Sequence, residues 1–338
     1  MKSDFRLIHR TVPHAHEDVI GFLTRVAERN HVGGAAAILA YVKGTANTSV
    51  ETGDIPRIAH YCRNHLEELL QLSGIEQRLS DGSRAWQIAG EWVSKASFIS
   101  ARKVKICPIC LQEGMFIRGL WSLSFYAACA QHEVRLVDRC PGCGRRLKWD
   151  RRRISHCGCT FNLANAPASP ASESLILVAQ LFAHRSNLDI VIRPHAFRNR
   201  EIERLAELSL DGLCKTIWFL GHCLAKLGQY GTGHGRLKPT GDEAEAIIHH
   251  AVEILRTWPT ELGARLDVMA RRNPSNSSSA LLDRLLGPVQ HYLHEELQVS
   301  ELDFLRLAYE QHIRMIWKTF SKTHQLKTTS RQSELEFD

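Results

Sequence analysis

The chain has 338 residues, of which 44% are apolar and 23% charged, and its formal net charge is +7. This length exceeds what one ordinary hydrophobic core organises, so we expect a globular protein with two or three domains. The charge excess permits a polyanionic partner but is weaker than a histone-like, nucleic-acid-coating protein needs.

The sequence predicts neither a membrane span nor an export signal. It contains no run of about 18 consecutive apolar residues, and its opening residues lack the apolar stretch and cleavage site of a secretory signal. We therefore expect a cytoplasmic protein. Because thiols stay reduced in that compartment, the ten cysteines point to metal or redox roles before disulfides.

Two apolar stripes predict helices within residues 1–100. In EDVIGFLTRVAERN (17–30), Val19, Phe22, Leu23 and Val26 recur at helical spacing. IPRIAHYCRNHLEELLQL (55–72) shows a second stripe with a proline near its start. We predict a small N-terminal helical domain over 1–100, whose short helical spacing would suit a helix-turn-helix.

The remaining chain changes character twice. Helical periodicity fades in 101–165, where cysteines, glycines and basic residues concentrate, and NAPASPASES (165–174) has the composition of a linker. Helical spacing then returns, which predicts a helical C-terminal domain over 170–325 and a frayed polar tail over 326–338. The predicted fold class is mainly α, with a small tandem zinc-finger module between two helical domains. The C-terminal helical patterns are SLILVAQLFAH, EIERLAEL, DGLCKTIWFLGHCLAKL, DEAEAIIHHAVEIL, ALLDRLLGPVQHYL and LDFLRLAYEQHIRMIW.

Eight cysteine and histidine residues form four close pairs between 107 and 159. A CxxC turn places both sulfurs on one side of a tight knuckle, so each pair can supply half of a tetrahedral Zn²⁺ site. Glycines and prolines beside the cysteines favour such turns. In chain order, the pairs predict two structural Zn²⁺ sites, one from Cys107, Cys110, Cys129 and His132 and one from Cys140, Cys143, Cys157 and Cys159.

Other interpretations of the cysteines remain open. They could be free or buried thiols, and Cys62, Cys214 and Cys223, which lie on helical stripes without paired partners, are expected to be core residues. The pair order also resembles the cross-brace of a RING-type ubiquitin-ligase module. Such a cross-brace normally has a shorter link between its second and third pairs than the seven residues found here. His156 adjoins Cys157. We expect it at most to contact a ligand, without binding the metal itself.

The pattern does not favour catalysis. A catalytic zinc keeps one open position for water, whereas each predicted site here is filled by four protein ligands. A zinc deaminase would need an H-x-E sequence combined with a P-C-x-x-C, and the PGC at 141–143 does not belong to such an arrangement. We therefore predict no catalytic residue and no enzymatic activity.

The stretch RRLKWDRRR (145–153) has two interpretations. It could be a solvated hairpin whose positive charge offsets the thiolates, or an edge that contacts phosphates, with Trp149 stacking on a base. The candidate nucleic-acid contacts are Arg145, Arg146, Lys148, Arg151, Arg152 and Arg153.

The cysteine-rich segment is similar to a known family. KICPICLQEGMFIRGLWSLSFYAACAQHEVRLVDRCPGCGRRLKW (105–149) resembles the zinc-finger core of the TniQ/TnsD family of transposition target-selection proteins. The N-terminal EDVIGFLTRVAERN, WPTEL (258–262) and NPSNSSSALLDRLLG (273–287) also resemble that family. Ala130 and Thr160 depart from its usual proline and glycine without removing a ligand. The chain also ends soon after IRMIW, where longer relatives carry further DNA-reading helices.

The resemblance implies an adaptor of transposition in a bacterial, nucleoid-associated setting. Such a protein recognises target DNA or an RNA-guided CRISPR effector ribonucleoprotein, and it recruits an AAA+ transposition ATPase of the TnsC/TniB type that loads the transposase. A homodimer is compatible with the apolar helices. The alternatives are a stand-alone zinc-containing DNA-binding transcription regulator and a ubiquitin-ligase-type module.

Overall fold

The computed structural model describes residues 5–100, 103–188, 200–224, 239, 241–271, 289, 292–294 and 297–335. The chain divides into two compact units. Among the described residues, the first unit contains 5–100, 103–188, 203–213, 239 and 241–248, and the second contains the rest. The domain boundaries expected from the sequence remain a prediction.

Helix α1 (Val19–Arg29) occupies the first predicted helical segment and buries the expected apolar face. Asp18 caps it, because its carboxylate accepts hydrogen bonds from the backbone N–H groups of Ile20 and Gly21. Helix α2 (Ala35–Lys43) begins after Gly34, whose φ of 92° lies in the region that favours glycine. These two helices form one side of the N-terminal core.

The second predicted segment forms two helices where the sequence suggested one continuous stripe. Helix α3 (Ile55–Cys62) ends at Arg63, which adopts a left-handed backbone with φ of 61°. Helix α4 (Leu66–Leu70) follows after a three-residue turn, and its Leu66 and Leu70 are exposed. The stripe predicted on one face is therefore wrong at its C-terminal end.

The turn between α3 and α4 resembles that of a helix-turn-helix, but α4 is poorly suited to reading DNA. It has only five residues, and its first turn carries Glu67 and Glu68. A recognition helix lies in the major groove beside phosphates, where exposed carboxylates are repelled. This pair of helices therefore gives no support to sequence-specific DNA recognition.

A four-stranded sheet follows, which the sequence analysis did not predict. Its strands are β1 (Val50–Glu51), β2 (Ile75–Arg78), β3 (Arg84–Ile88) and β4 (Glu91–Val93), in that order. Strand β1 pairs with β2 in parallel, and the other neighbours are antiparallel. The chain is thus helix-rich with a small sheet.

The cysteine-rich segment has little regular structure. It contains one short helix, α5 (Pro108–Gly114), and isolated bridges such as Ile106 to Val137 and Arg139 to Arg146. The aromatic residues Trp121, Phe125 and Tyr126 are fully buried within it. They are the largest members of a small core that also contains buried aliphatic residues such as Ile106 and Leu147.

Backbone hydrogen bonds join this segment to the residues just before α1, and join those residues to the turn before β2. The N–H of Asp18 donates to the carbonyl of Ile117, and the N–H of Gly119 donates to the carbonyl of His16. Ser73 donates its N–H to the carbonyl of Glu17, and its hydroxyl accepts from Ala89 N–H. A Cβ atom on Gly119 would overlap the Ser73 side chain, so this joint requires glycine.

Helices account for most of the remaining described residues. These are α6 (Glu173–Arg185), α7 (Arg200–Glu207), α8 (Leu210–Trp218) with a π-helical turn at Phe219–Cys223, α9 (Gly241–Arg256), α10 (Thr260–Arg271) and α11 (Asp303–Leu335). Most of the predicted segment ALLDRLLGPVQHYL lies outside the described residues. Helix α11 extends into the part of the chain that the sequence predicts as a polar tail.

None of the described helices combines the length and apolar character that crossing a membrane requires.

Candidate metal centres

The eight predicted ligands form two groups of four in the structure. Within each group the sulfur and nitrogen donor atoms all lie within 4.8 Å of one another. The first group is Cys107, Cys110, Cys129 and His132, and the second is Cys140, Cys143, Cys157 and Cys159. This grouping follows chain order. A RING cross-brace would instead bring Cys107 and Cys110 together with Cys140 and Cys143.

The geometry of the first group fits a tetrahedral metal. His132 Nδ1 lies 3.5, 3.3 and 3.5 Å from the sulfurs of Cys107, Cys110 and Cys129, and the last two sulfurs are 3.6 Å apart. Tetrahedral Zn²⁺ sets sulfur–sulfur edges of about 3.8 Å and sulfur–nitrogen edges of about 3.5 Å. The sulfurs are too far apart for a disulfide, which needs about 2.05 Å.

Helix α5 positions the first pair of ligands. Cys107 is the residue before the helix, and its sulfur accepts a hydrogen bond from the N–H of Cys110 at 3.5 Å. Pro108 occupies the first helical position, where its missing N–H costs nothing. Both sulfurs consequently face the same side of the turn, and both cysteines are buried.

Glu113 lies behind His132, an arrangement that the sequence analysis did not identify. Its Oε1 is 3.1 Å from His132 Nε2, while His132 Nδ1 faces the three sulfurs. In neutral imidazole, Nε2–H would donate to this carboxylate and leave Nδ1 free as a ligand. The glutamate belongs to the CPICLQE stretch (107–113), six residues after the first cysteine, so the sequence contained a signal for it.

The second group is more open to solvent than the first. The sulfurs of Cys140 and Cys159 lie 3.5 Å apart, and those of Cys143 and Cys157 lie 3.9 Å apart. These are again tetrahedral edges. Cys140 is buried, whereas the other three cysteines are half-buried.

Arg145 stabilises negative charge at Cys143. A hydrogen bond from its backbone N–H, reinforced by one from its guanidinium, lowers the pKa of the Cys143 thiol to about 6. Gly144, with φ of 69°, forms the turn that brings this N–H toward the sulfur. A thiolate is the form in which cysteine binds metal.

The other cysteines and His156 lie apart from both groups. Cys62 and Cys214 are buried in helices, as expected of core residues. The side chain of Cys223 lies outside the described residues. His156 Nδ1 is 2.9 Å from the hydroxyl of Ser155, and His156 is not a member of the second group.

The basic stretch 145–153 divides into residues with different surroundings. Arg145 contacts Cys143, and Arg146 pairs with Asp138 at 3.5 Å. Lys148, Arg152 and Arg153 are exposed.

Two expectations for this stretch are wrong. Arg151 is buried, with 4% of its surface exposed, so it cannot contact a phosphate in this conformation. Trp149 is also buried and contributes to packing, so it offers no stacking surface to a base. Burial alternates along this stretch, since Lys148 and Asp150 on either side of Trp149 are exposed.

The described residues thus combine helices, a small sheet and two cysteine-rich clusters whose donor atoms could hold metal ions. The family model for TniQ matches residues 9–136, so this part of the chain is a TniQ domain. The match spans α1, the sheet and the whole first cluster, and it confirms the resemblance seen in the sequence. In general terms it supports a role in target selection associated with transposition. No curated protein matches the chain.

We predict that Glu113→Gln weakens metal binding at the first cluster by about 10- to 100-fold, because the His132 ring loses the carboxylate that orients it. Competition with a chelating dye, in a Cys140→Ser background that leaves only the first cluster complete, measures this affinity. Glu67→Gln, which neutralises an exposed glutamate on α4, is the matched control. Equal Zn²⁺ affinity in the Glu113 and Glu67 variants would contradict the assignment.

Proposed function

We propose that this protein is a zinc-stabilised target-selection adaptor of transposition, without catalysis of its own. The observation that carries the proposal is a complete set of four tetrahedrally spaced donors in the TniQ domain, followed at once by a second such set. The adaptor would link a target to an AAA+ transposition ATPase of the TnsC/TniB type and so to the transposase.

The metal's proposed role is structural. Zinc bound at either cluster would have four protein ligands and no position for a substrate or water. Each ion would cross-link two short chain segments, for example the start of α5 with the turn at 129–132. A segment with one short helix and a small aromatic core gains folding free energy from such links.

The donor types favour zinc over other metals. Three thiolates with one imidazole, and four thiolates, are ligand sets of structural zinc. Magnesium and calcium prefer oxygen ligands, which neither cluster provides among its four donors. Cysteine binds metal as a thiolate. The N–H groups that donate to the sulfurs of Cys107 and Cys143 would stabilise this form.

The target could be a DNA site or a CRISPR effector ribonucleoprotein, and both present phosphates. Lys148, Arg152 and Arg153 are the exposed cations of the basic stretch, and we propose them as phosphate contacts. Arg145 and Arg146, although partly engaged by Cys143 and Asp138, remain at the same edge. The short acidic α4 argues against the alternative of a transcription regulator that reads DNA through α3 and α4.

The purified, reduced chain should contain two Zn²⁺ per molecule. Cys140→Ser should lower the content to one, because it removes a ligand of the second cluster only, and Cys107→Ser should do the same for the first. Elemental analysis of protein purified without added metal measures the content. Cys62→Ser, which alters a buried cysteine outside both clusters, is the control and should keep both ions. A Cys140→Ser variant with two ions would contradict the second site.

We expect the zinc-loaded chain to bind the AAA+ ATPase of its own transposon in the presence of ATP. Pull-down of the ATPase by the tagged full-length chain, with and without duplex DNA, measures this association. Absence of binding under both conditions would refute the adaptor function. Tight, sequence-dependent DNA binding without the ATPase would instead support the transcription regulator.

Replacing Lys148, Arg152 and Arg153 together by alanine should weaken binding to nucleic acid and reduce its salt dependence. Loss of up to three phosphate contacts lowers the slope of log K against log salt by about 0.9 per contact on duplex DNA. The matched control replaces the exposed Arg29, Arg57 and Arg78 by alanine, which removes the same charge elsewhere. If both triple variants lose the same affinity, only net charge matters and the basic edge is not an interface.

A further inference from the structure

Arg151 is a buried cation without a hydrogen-bonding partner. Only 4% of its surface is exposed, and Nε and both terminal nitrogens are buried with no acceptor among the described residues. Buried charges in proteins are normally paired, because removing an ion from water is costly. The charge of Arg151 must therefore be balanced through space by nearby negative groups.

The neighbours of Arg151 include one group that can gain negative charge. Its guanidinium carbon lies 5.7 Å from the centre of the Trp149 ring, which offers a weak attraction. Burial lowers the Arg151 pKa to about 10, so the side chain is still a cation at neutral pH. Its electrostatic partners are Cys157, Asp150 and Asp18.

Neither carboxylate compensates Arg151 fully. Asp150 is exposed, so water screens its charge. Asp18 already accepts the N–H groups at the start of α1, and burial raises its pKa to about 7. No ion pair joins Asp18 to Arg151 in the described part of the chain. Cys157 remains, and it is a member of the second cluster.

The charge of a loaded cluster differs between the two sites. Zn²⁺ with three thiolates and an imidazole retains one formal negative charge, whereas Zn²⁺ with four thiolates retains two. The second cluster thus needs more compensation. Arg145 supplies it on the exposed side, through Cys143. We propose that Arg151 is the buried counter-cation of the metal-loaded second cluster, a positioning residue that rests on the metal binding proposed above.

The segment that carries Arg151 also packs on the N-terminal helices. A Cβ atom on Gly34, which precedes α2, would come within 3.0 Å of the Arg151 carbonyl oxygen. Three residues further on, the N–H of Ile154 donates to a carboxylate oxygen of Glu28 in α1 at 3.3 Å. Metal at the second cluster would therefore stabilise a joint with helices that lie more than one hundred residues earlier in the chain.

Zinc release from the full-length chain tests the proposal. With excess chelating dye, Arg151→Met should release the zinc of the second cluster at least about tenfold faster than the wild type, and the zinc of the first cluster at an unchanged rate. Cys140→Ser, which keeps only the first cluster, identifies the two release phases. Arg151→Lys should restore much of the retention because it keeps the positive charge. Arg57→Met, at an exposed arginine of α3, should behave as the wild type.

The outcomes separate this proposal from the metal binding on which it rests. A wild type with fewer than two zinc ions would refute the metal proposal itself. A wild type with two ions, and a folded Arg151→Met variant that releases both at wild-type rates, would overturn only the role of Arg151. Equal acceleration by Met and Lys would also overturn it, since packing and not charge would then be responsible.

A measurement on the unaltered arginine covers the case in which Arg151→Met does not fold. In chain labelled with ¹⁵N-arginine, the Arg151 Nε–H signal, assigned by its loss in Arg151→Lys, should exchange slowly with water when zinc is bound. Cys140→Ser should shift this signal or speed its exchange, whereas Cys129→Ser should leave it unchanged. A signal that is the same in Cys140→Ser and the wild type would overturn the proposal.

Discussion

The convergence of four donors in each cysteine-rich cluster is the constraint on which the rest of this structure depends. Between α5 and α6 the chain has almost no regular secondary structure, so its backbone hydrogen bonds are scattered among turns and isolated bridges. The donor groups lie at tetrahedral edges and bring together segments that are about twenty residues apart. Without a metal, these sulfurs would contribute little more than small apolar surface.

Features that depend on neighbours in sequence could be predicted. The four Cys/His pairs are local turns, and the links between them are short enough for consecutive pairs to meet, so both groups followed from spacing alone. Helix α1 also followed, because its stripe of Val19, Phe22, Leu23 and Val26 matches the helical repeat. The resemblance to the TniQ family supports helix α1 and the first cluster independently of the spacing argument.

Features that depend on tertiary context could not be predicted from the sequence. The apolar pattern over 55–72 is consistent with one helix. The break after Cys62 is seen only in the structure, where Arg63 adopts a left-handed backbone. The strands are two to five residues long, too short for a clear alternation, and β1 pairs with a strand twenty-five residues away. Glu113 and His132 are nineteen residues apart in sequence, so their contact can be recognised only from the structure of the folded cluster.

The basic stretch 145–153 shows how both kinds of information combine. Leu147, Trp149 and Arg151 are buried, while the residues between them are exposed, so burial alternates along the stretch. A buried arginine beside two buried apolar residues is unexpected if every arginine of the stretch is assumed to face solvent. Under the proposal above, the buried Arg151 balances the thiolates of the second cluster. The proposed charge compensation and the proposed phosphate contacts are thus compatible, because they involve different side chains of the segment, one set buried and the other exposed.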